Sequence, residues 1–132
     1  MNRETHKRNI MESVEVIREC IDKGVEKRQR TIGFHCSSAA TDMLELFLHE
    51  NNLIDPGANI KHDYFSSIRK AEEKLNFEFP NKQKIIKLLV EIENKRNLLC
   101  YGKPQEKEEI EKYIELFNTS KSVFEKAGIR YE

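Results

Sequence analysis

The residues of this sequence best suited to chemistry lie together around position 96. Glu93, Arg96, Asn97 and Tyr101 occur in the stretch EIENKRNLLCYG. An arginine offers a bidentate fork of N–H donors, an asparagine donates or accepts, and a tyrosine donates or stacks on a base. Such a group suits the binding of a phosphate or a carboxylate. The alternative is a capping network, in which Asn97 and Tyr101 bond the last carbonyls of a helix while Glu93 neutralises Arg96.

Arg96 also interrupts an apolar stripe. Apolar side chains recur around it at helical spacing, at Ile85, Leu89, Ile92, Leu99 and Cys100. A guanidinium in that stripe cannot lose its charge, and burying it unpaired would cost several kcal/mol. Arg96 therefore needs a carboxylate partner, a ligand or a wet cleft. Asp42, on an earlier predicted helix, is the best intrachain candidate for that partner.

The histidines offer two further sites to weigh. His35, Asp42 and His49 are seven residues apart, and seven residues span about 10 Å of helix. That separation prevents two of them from sharing a metal ion, which would need a spacing of three or four. A half-exposed flank beside the core is the simpler interpretation, and we predict no metal ion and no cofactor.

The dipeptide His62-Asp63 resembles the metal-binding dyad of HD phosphohydrolases. That class also needs another histidine upstream and an aspartate far downstream, on separate helices. The alternative is purely structural. An aspartate in the first turn of a helix interacts favourably with the helix dipole, and His62 would lie near the same N-terminus.

Five helical segments are predicted to position these residues: about 3–28, 31–50, 62–75, 80–102 and 104–128. Pro80 fits the first turn of the fourth segment, and Gly102 fits its C-terminal end. Pro104 fits the start of the fifth segment, which Gly128 would end. The apolar residues of the second segment cover about half its circumference, which indicates a central helix. Short connections predict an all-α fold, an antiparallel four-helix up-and-down bundle with an additional short helix, as a single domain over residues 1–132.

Composition narrows the class of protein. Lys plus Arg and Asp plus Glu both number 23, so the chain has no overall basic character, although a local patch could still hold phosphates. The three cysteines are widely spaced without a CxxC pair, which indicates buried thiols in a reducing compartment. No apolar run approaches eighteen residues and no signal peptide is evident, so we expect a cytoplasmic protein that does not associate with membranes.

The run RNLLCYG, from Arg96 to Gly102, resembles the signature of HEPN (higher eukaryotes and prokaryotes nucleotide-binding) domains. In that family an arginine is followed after four to six residues by a histidine, near the end of the last long core helix. The surrounding order is similar too: a long first helix, an alanine-bearing second, a loop into His62-Asp63, the arginine helix and a closing helix. The resemblance covers most of the chain and implies a HEPN-like bundle that forms a homodimer with the motif helices facing each other.

The resemblance also implies a function. Many HEPN proteins are metal-independent ribonucleases, frequently toxins paired with a nucleotidyltransferase antitoxin. In active members the arginine holds the scissile phosphate, the next residue assists, and the histidine takes part in attack by the ribose 2′-OH. Arg96 and Asn97 match the first two positions, and Tyr101 stands where the histidine is expected. The resemblance therefore implies nucleotide or phosphate binding by Arg96, Asn97 and Tyr101, and catalytic roles for Arg96 and Tyr101. A phenol is a poor proton acceptor near neutral pH, so Tyr101 would support binding more readily than cleavage. The expected supporting residues are Asp42, Glu93 and His62.

Two hypotheses follow from the residues and the resemblance. In the first, the chain is a nucleotide- or RNA-binding module, as in a toxin–antitoxin ribonuclease whose motif has become Arg-x4-Tyr. In the second, it is a non-catalytic helical partner of a nucleotidyltransferase. They differ at Arg96, because a binding cleft requires this side chain to reach solvent or an anion. In an assembly module, Arg96 can instead be buried in an ion pair with Glu93 or Asp42.

Overall fold

Amphipathic stretches of this sequence form five α-helices in the computed structural model, which describes residues 2–132. The helices are α1 (Arg3–Lys23), α2 (Gln29–Glu50), α3 (Ile68–Lys74), α4 (Lys82–Tyr101) and α5 (Lys107–Lys126). Two short 3-10 helices, Val25–Arg28 and His62–Ser66, precede α2 and α3. The predicted all-α class is confirmed, with α3 as the additional short helix beside four long ones. Within residues 2–132, no helix combines the length and the apolar character needed to cross a bilayer.

Helix α2 is the centre of the bundle. It packs against α1, α4 and α5, and its side chains are buried on more than one side. Its fully buried apolar residues are Ile32, Cys36, Ala39, Ala40, Met43, Leu44, Leu46 and Leu48. The wide apolar arc read from the sequence therefore does correspond to a helix with neighbours on several sides.

Contacts along α2 fix the directions of its neighbours. The Arg3 guanidinium at the start of α1 donates to the carbonyl of His49 at the end of α2 (3.2 Å), so α1 is antiparallel to α2. The start of α2 lies against the end of α4, where Gly33 meets Leu99 and Cys100. Helix α4 is therefore antiparallel to α2 as well.

Helix α5 runs in the same direction as α2. The Tyr113 hydroxyl, early in α5, donates to the carbonyl of Gly33 (2.8 Å). Towards the other ends of the two helices, the rings of Phe47 and Phe124 lie 6.1 Å apart. The four long helices thus alternate in direction along the chain, as in an up-and-down bundle.

The first predicted helix was too long at its C-terminal end. Helix α1 stops at Lys23 because Gly24 adopts a left-handed φ of 109°, a conformation that favours glycine. The Gly24 N–H donates to the carbonyl of Cys20 (3.1 Å) and closes the helix. The 3-10 helix then turns the chain into α2.

The third and fourth predicted helices also began too early. Residues 62–75 are divided at Ser67, whose backbone is extended and whose side-chain oxygen accepts from the N–H of Lys70 (3.1 Å). This is an N-cap, so α3 proper starts only after it. Pro80 lies outside α4, because Asn81 adopts a left-handed φ of 60° before the helix begins at Lys82. Likewise α5 begins three residues after Pro104.

Candidate functional site

A glycine on α2 allows the arginine helix to lie close to α2. A Cβ atom at Gly33 would lie 3.0 Å from both Leu99 Cβ and Cys100 Sγ of α4. Such contacts are shorter than ordinary van der Waals separations. The hydrogen of glycine therefore permits the close approach that brings Arg96, one turn earlier on α4, beside α2.

Arg96 lies in the wall of a cleft of about 370 Å³ between α2, α4 and the segment 60–63. We call it the arginine cleft. It is lined by Phe34, Ser37, Ser38, Thr41, Asp42, Ile60, Lys61, His62, Asp63 and Arg96. Its volume is in the range of small-molecule sites, about 300–1,000 Å³, and its lining combines hydroxyls, two carboxylates and the cations of lysine and arginine.

A second cleft, of about 320 Å³, also has Arg96 in its lining. We call it the tyrosine cleft. Its lining residues are Arg30, Thr31, Phe34, His35, Arg96, Cys100 and Tyr101. Arg96 and Phe34 belong to both linings. Arg96 is thus accessible from two clefts.

Arg96 is nearly buried but poorly neutralised. Only 9% of the residue is exposed, and its Nη1 lies 4.0 Å from Glu93 Oε1. That distance exceeds the 2.7–3.2 Å range of a normal hydrogen bond. Among residues 2–132, no other carboxylate is within ion-pair distance of Arg96. A further anion is what such a guanidinium lacks.

Glu93 is bonded to a histidine rather than to the arginine. Its Oε2 accepts from His62 Nδ1 at 2.6 Å, while its Oε1 is buried without a hydrogen-bond partner. A carboxylate can only accept, so the proton of this bond belongs to His62 Nδ1. In the neutral ring, Nε2 of His62 is then free to accept a proton. The His62 side chain is 48% exposed and opens into the arginine cleft.

The expected pairing of Arg96 with Asp42 was wrong. Asp42 Oδ1 accepts from Nδ1 of His6 at 2.9 Å. Helix α1 packs along this side of α2 and supplies the buried imidazole, so the carboxylate is engaged from that side. Asp42 still lies in the lining of the arginine cleft, where its carboxylate is hydrogen-bonded to His6.

Asn97 and Tyr101 do not form the capping network considered above. Both are exposed, Tyr101 by 72%, and neither side chain bonds a carbonyl in the described part of the chain. The end of α4 is instead capped from α2, where Gln29 Nε2 donates to the carbonyls of Leu99 (3.1 Å) and Lys103 (3.2 Å). Tyr101 shares the tyrosine cleft with Arg96, whereas Asn97 lies outside both clefts.

The thiol in the tyrosine cleft is held in its protonated form. Burial raises the pKa of Cys100, and the charges of Arg96 and Arg30 partly offset that effect. Burial raises the pKa of Cys36 further, since this residue is fully enclosed. Neither cysteine is therefore a candidate nucleophile in the structure.

His35, Asp42 and His49 were predicted to be half-exposed beside the core, and the structure agrees for two of the three. His35 and Asp42 are half-buried, whereas His49 is only 8% exposed. The expectation was wrong for His49 because it joins Glu45, on the same helix, and His6, on α1, in a buried polar cluster. Sequence reasoning missed His6 and Glu45. The spacing of four between Glu45 and His49 was the available signal.

No protein-family model, curated protein or solved structure matches the chain.

Proposed function

We propose that the chain is a HEPN-like module that binds a phosphate group of single-stranded RNA or of a nucleotide at Arg96. The observation that carries this proposal is the state of that guanidinium. Arg96 is 9% exposed, lines two clefts, and has one carboxylate at 4.0 Å. A phosphate in either cleft would supply the bidentate acceptor that Arg96 lacks.

The surroundings of Arg96 suit a nucleotide better than a bare anion. Two aromatic rings near it, Phe34 and Tyr101, are 49% and 72% exposed. Base–aromatic stacking contributes about 1–3 kcal/mol per base and tolerates different sequences. Lys61 adds a cation to the wall of the arginine cleft. A basic group beside exposed rings is typical of single-strand binding sites.

A second copy of the chain is the proposed partner in solution. Phe34, Leu98 and Tyr101 are large apolar residues that remain exposed on α2 and α4. The HEPN resemblance implies that motif helices face each other, which would cover these side chains and place two Arg96 residues in one composite cleft. The same resemblance makes a nucleotidyltransferase the partner protein to test. The three free thiols fit the proposed cytoplasmic location.

The test is a titration of a fluorescently labelled single-stranded RNA with the full chain, read by anisotropy at several salt concentrations. We expect binding to weaken with salt, with a log–log slope of about −0.7 per phosphate contact. Sedimentation at the same protein concentrations is expected to give a dimer. A monomer that binds neither RNA nor nucleotides would instead support the assembly hypothesis.

A second candidate function, RNA cleavage, is favoured by the bond between His62 and Glu93. His62 Nε2 would take the proton of a ribose 2′-OH, whose oxygen attacks phosphorus while Arg96 holds the non-bridging oxygens. The bond from phosphorus to the 5′-oxygen breaks, and that oxygen takes a proton from water. The products are a 2′,3′-cyclic phosphate and a 5′-hydroxyl. His62 would thus perform the role that the family assigns to the motif histidine.

Cleavage is tested with His62→Asn, which removes the free ring nitrogen. We expect the variant to bind RNA within a few-fold of wild type and to lose cleavage by about 10²–10⁴-fold. Equal cleavage by both proteins would exclude His62 as the proton acceptor. The binding proposal would survive that result, because it depends on Arg96.

A further inference from the structure

Three donor atoms from two helices converge near the start of α1 and the end of α2. They are Nε2 of His6, a carboxylate oxygen of Glu45 and Nε2 of His49, and all lie within 4.8 Å of one another. Nε2 of His49 is 3.7 Å from Oε2 of Glu45, and Nε2 of His6 contacts the same oxygen. Two donors of a tetrahedral metal site with bond lengths of about 2.0–2.2 Å lie about 3.3–3.6 Å apart, which is close to the distance between His49 Nε2 and Glu45 Oε2.

The same three atoms lack hydrogen bonds. His6 Nε2, Glu45 Oε2 and His49 Nε2 are each buried without a hydrogen-bond partner. Their residues are 1%, 3% and 8% exposed. Leaving one buried polar atom without a hydrogen bond costs about 1–3 kcal/mol. A single ligand that binds all three atoms would remove this cost.

Neighbouring groups orient two of these donors. Asp42 Oδ1 accepts from His6 Nδ1 at 2.9 Å, which leaves the lone pair of Nε2 directed towards Glu45. The N–H of Ile60 donates to Oε1 of Glu45 at 2.6 Å, and Oε2 is left to face the histidines. A nitrogen lone pair facing a carboxylate oxygen is repulsive unless both atoms bind a common cation.

We propose that this cation is a divalent transition-metal ion held by His6, Glu45 and His49. Two imidazoles and one carboxylate suit Zn²⁺ or Fe²⁺ rather than Mg²⁺ or Ca²⁺, which prefer oxygen ligands. Glu45 and His49 are four residues apart on one helix and share a face, as helical metal ligands require. The two carboxylates of Glu45 and Asp42 balance the double charge of the ion.

The ion would connect three parts of the fold. It would join the start of α1 to α2 through His6, and the bond from Glu45 to Ile60 continues to the wall of the arginine cleft. A separate surface cleft of about 530 Å³ has His49 in its lining. This cleft gives access for a water molecule as fourth ligand. The proposal does not depend on RNA binding, since none of the three ligands lies in the arginine cleft.

The first experiment measures metal content in the untagged full chain by inductively coupled plasma mass spectrometry. The chain is stripped with a chelator and then dialysed against Zn²⁺, against Fe²⁺ without oxygen, or against Mg²⁺. We expect one equivalent of Zn²⁺ or Fe²⁺ per chain and no retained Mg²⁺. Co²⁺ in the same site is expected to give the intense visible absorption of a four-coordinate ion. Retention of no transition metal would overturn the proposal.

Substitutions then assign the ligands. His6→Gln and His49→Gln should each weaken Zn²⁺ binding by at least about a hundredfold, and Asp42→Asn by about 10–100-fold. His35→Gln is the matched control. His35 is on α2, as His49 is, and its side chain bonds Ser13 outside the cluster (3.1 Å). An equal loss in the control and in His6→Gln would contradict the assignment.

If the ligand variants fail to fold, the wild-type chain still tests the metal proposal. Free Zn²⁺ at one hundred times its dissociation constant should raise the ratio of folded to unfolded chain about a hundredfold, as measured by denaturant unfolding. No shift at saturating Zn²⁺ would overturn the proposal.

Discussion

His62 Nδ1 donates to Glu93 Oε2 over 2.6 Å, and this bond joins the segment before α3 to the buried side of α4. The same carboxylate is the nearest anion to Arg96. Glu93 therefore orients the histidine while only partly neutralising the arginine. The two side chains suited to phosphate chemistry are coupled through one buried group.

Glu93→Gln should separate these two effects. The amide oxygen can still accept from His62, but the negative charge beside Arg96 is lost. We expect RNA to bind on the order of tenfold more tightly, since a charge about 4 Å away contributes at least about 1 kcal/mol. We expect any cleavage to fall, because His62 loses its carboxylate. Anisotropy measures the RNA affinity, and a gel assay on the same RNA measures cleavage. Glu91→Gln, on the same helix outside both clefts, is the control, and weaker binding in Glu93→Gln alone would contradict this account.

Tyr101 can be replaced with little effect on the fold because its side chain is 72% exposed. Tyr101→Ala should weaken RNA binding by roughly tenfold, the loss of one stacked base, and leave the melting temperature nearly unchanged. Tyr101→Phe keeps the ring and should bind as wild type does. Unchanged RNA affinity in Tyr101→Ala would show that no base stacks on Tyr101.

Tyr101→His would place a histidine after Arg96 and four intervening residues, which is the spacing of the HEPN motif that this sequence resembles. If the phosphate lies between the two clefts, this histidine adds a proton donor for the leaving 5′-oxygen. We expect the rate of RNA cleavage to rise by about a hundredfold, measured with a labelled RNA under single-turnover conditions. No rise, with binding intact, would show that position 101 does not face the reacting phosphate.

Gly33→Val tests the close approach of α2 and α4. The new Cβ would lie 3.0 Å from Leu99 Cβ and Cys100 Sγ, and overpacking of this kind costs about 1–3 kcal/mol. Urea unfolding measures the loss. Gly57→Ala is the control, because a Cβ there meets nothing within 4 Å. An equally small change in both variants would mean that α4 can move away from α2 without loss.

Stability should fall in acid partly because of His35. Burial lowers the pKa of His35 below the ordinary value of 6.5, and the charge of Glu12 opposes this only in part. The unfolded chain therefore binds the proton more readily, so the free energy of unfolding decreases as pH falls below about 6.5. His35→Gln should lose less stability than wild type between about pH 7.5 and pH 5.5 in urea unfolding. Parallel curves for the two proteins would contradict the direction of the shift.

The pattern of apolar residues was sufficient to predict the bundle. Spacing alone identified the helices and the central position of α2, because burying a wide apolar arc requires several neighbours. Helix ends were less predictable. Gly24 and Asn81 adopt left-handed conformations at the boundaries, and Ser67 caps α3. Such local choices depend on how the chain must turn in the folded state.

The candidate site was predictable only in part. Arg96 was identified because a charge in an apolar stripe is unusual, and the structure places it at two clefts. Its partner was not predictable, since Asp42 bonds His6 from a helix distant in sequence. The bond between Glu93 and His62 spans 31 positions. Pairings of that kind depend on tertiary packing, which periodicity does not describe.

The most direct test of the central claim is the paired measurement of RNA affinity and unfolding free energy in Arg96→Ala. Arg18→Ala, an exposed arginine on α1, is the control. If Arg96 faces a bound phosphate, the variant should lose at least about tenfold in RNA affinity and change stability by less than about 1 kcal/mol. Unchanged RNA binding together with a loss of about 3–5 kcal/mol in stability would identify Arg96 as half of a structural ion pair and would contradict the account.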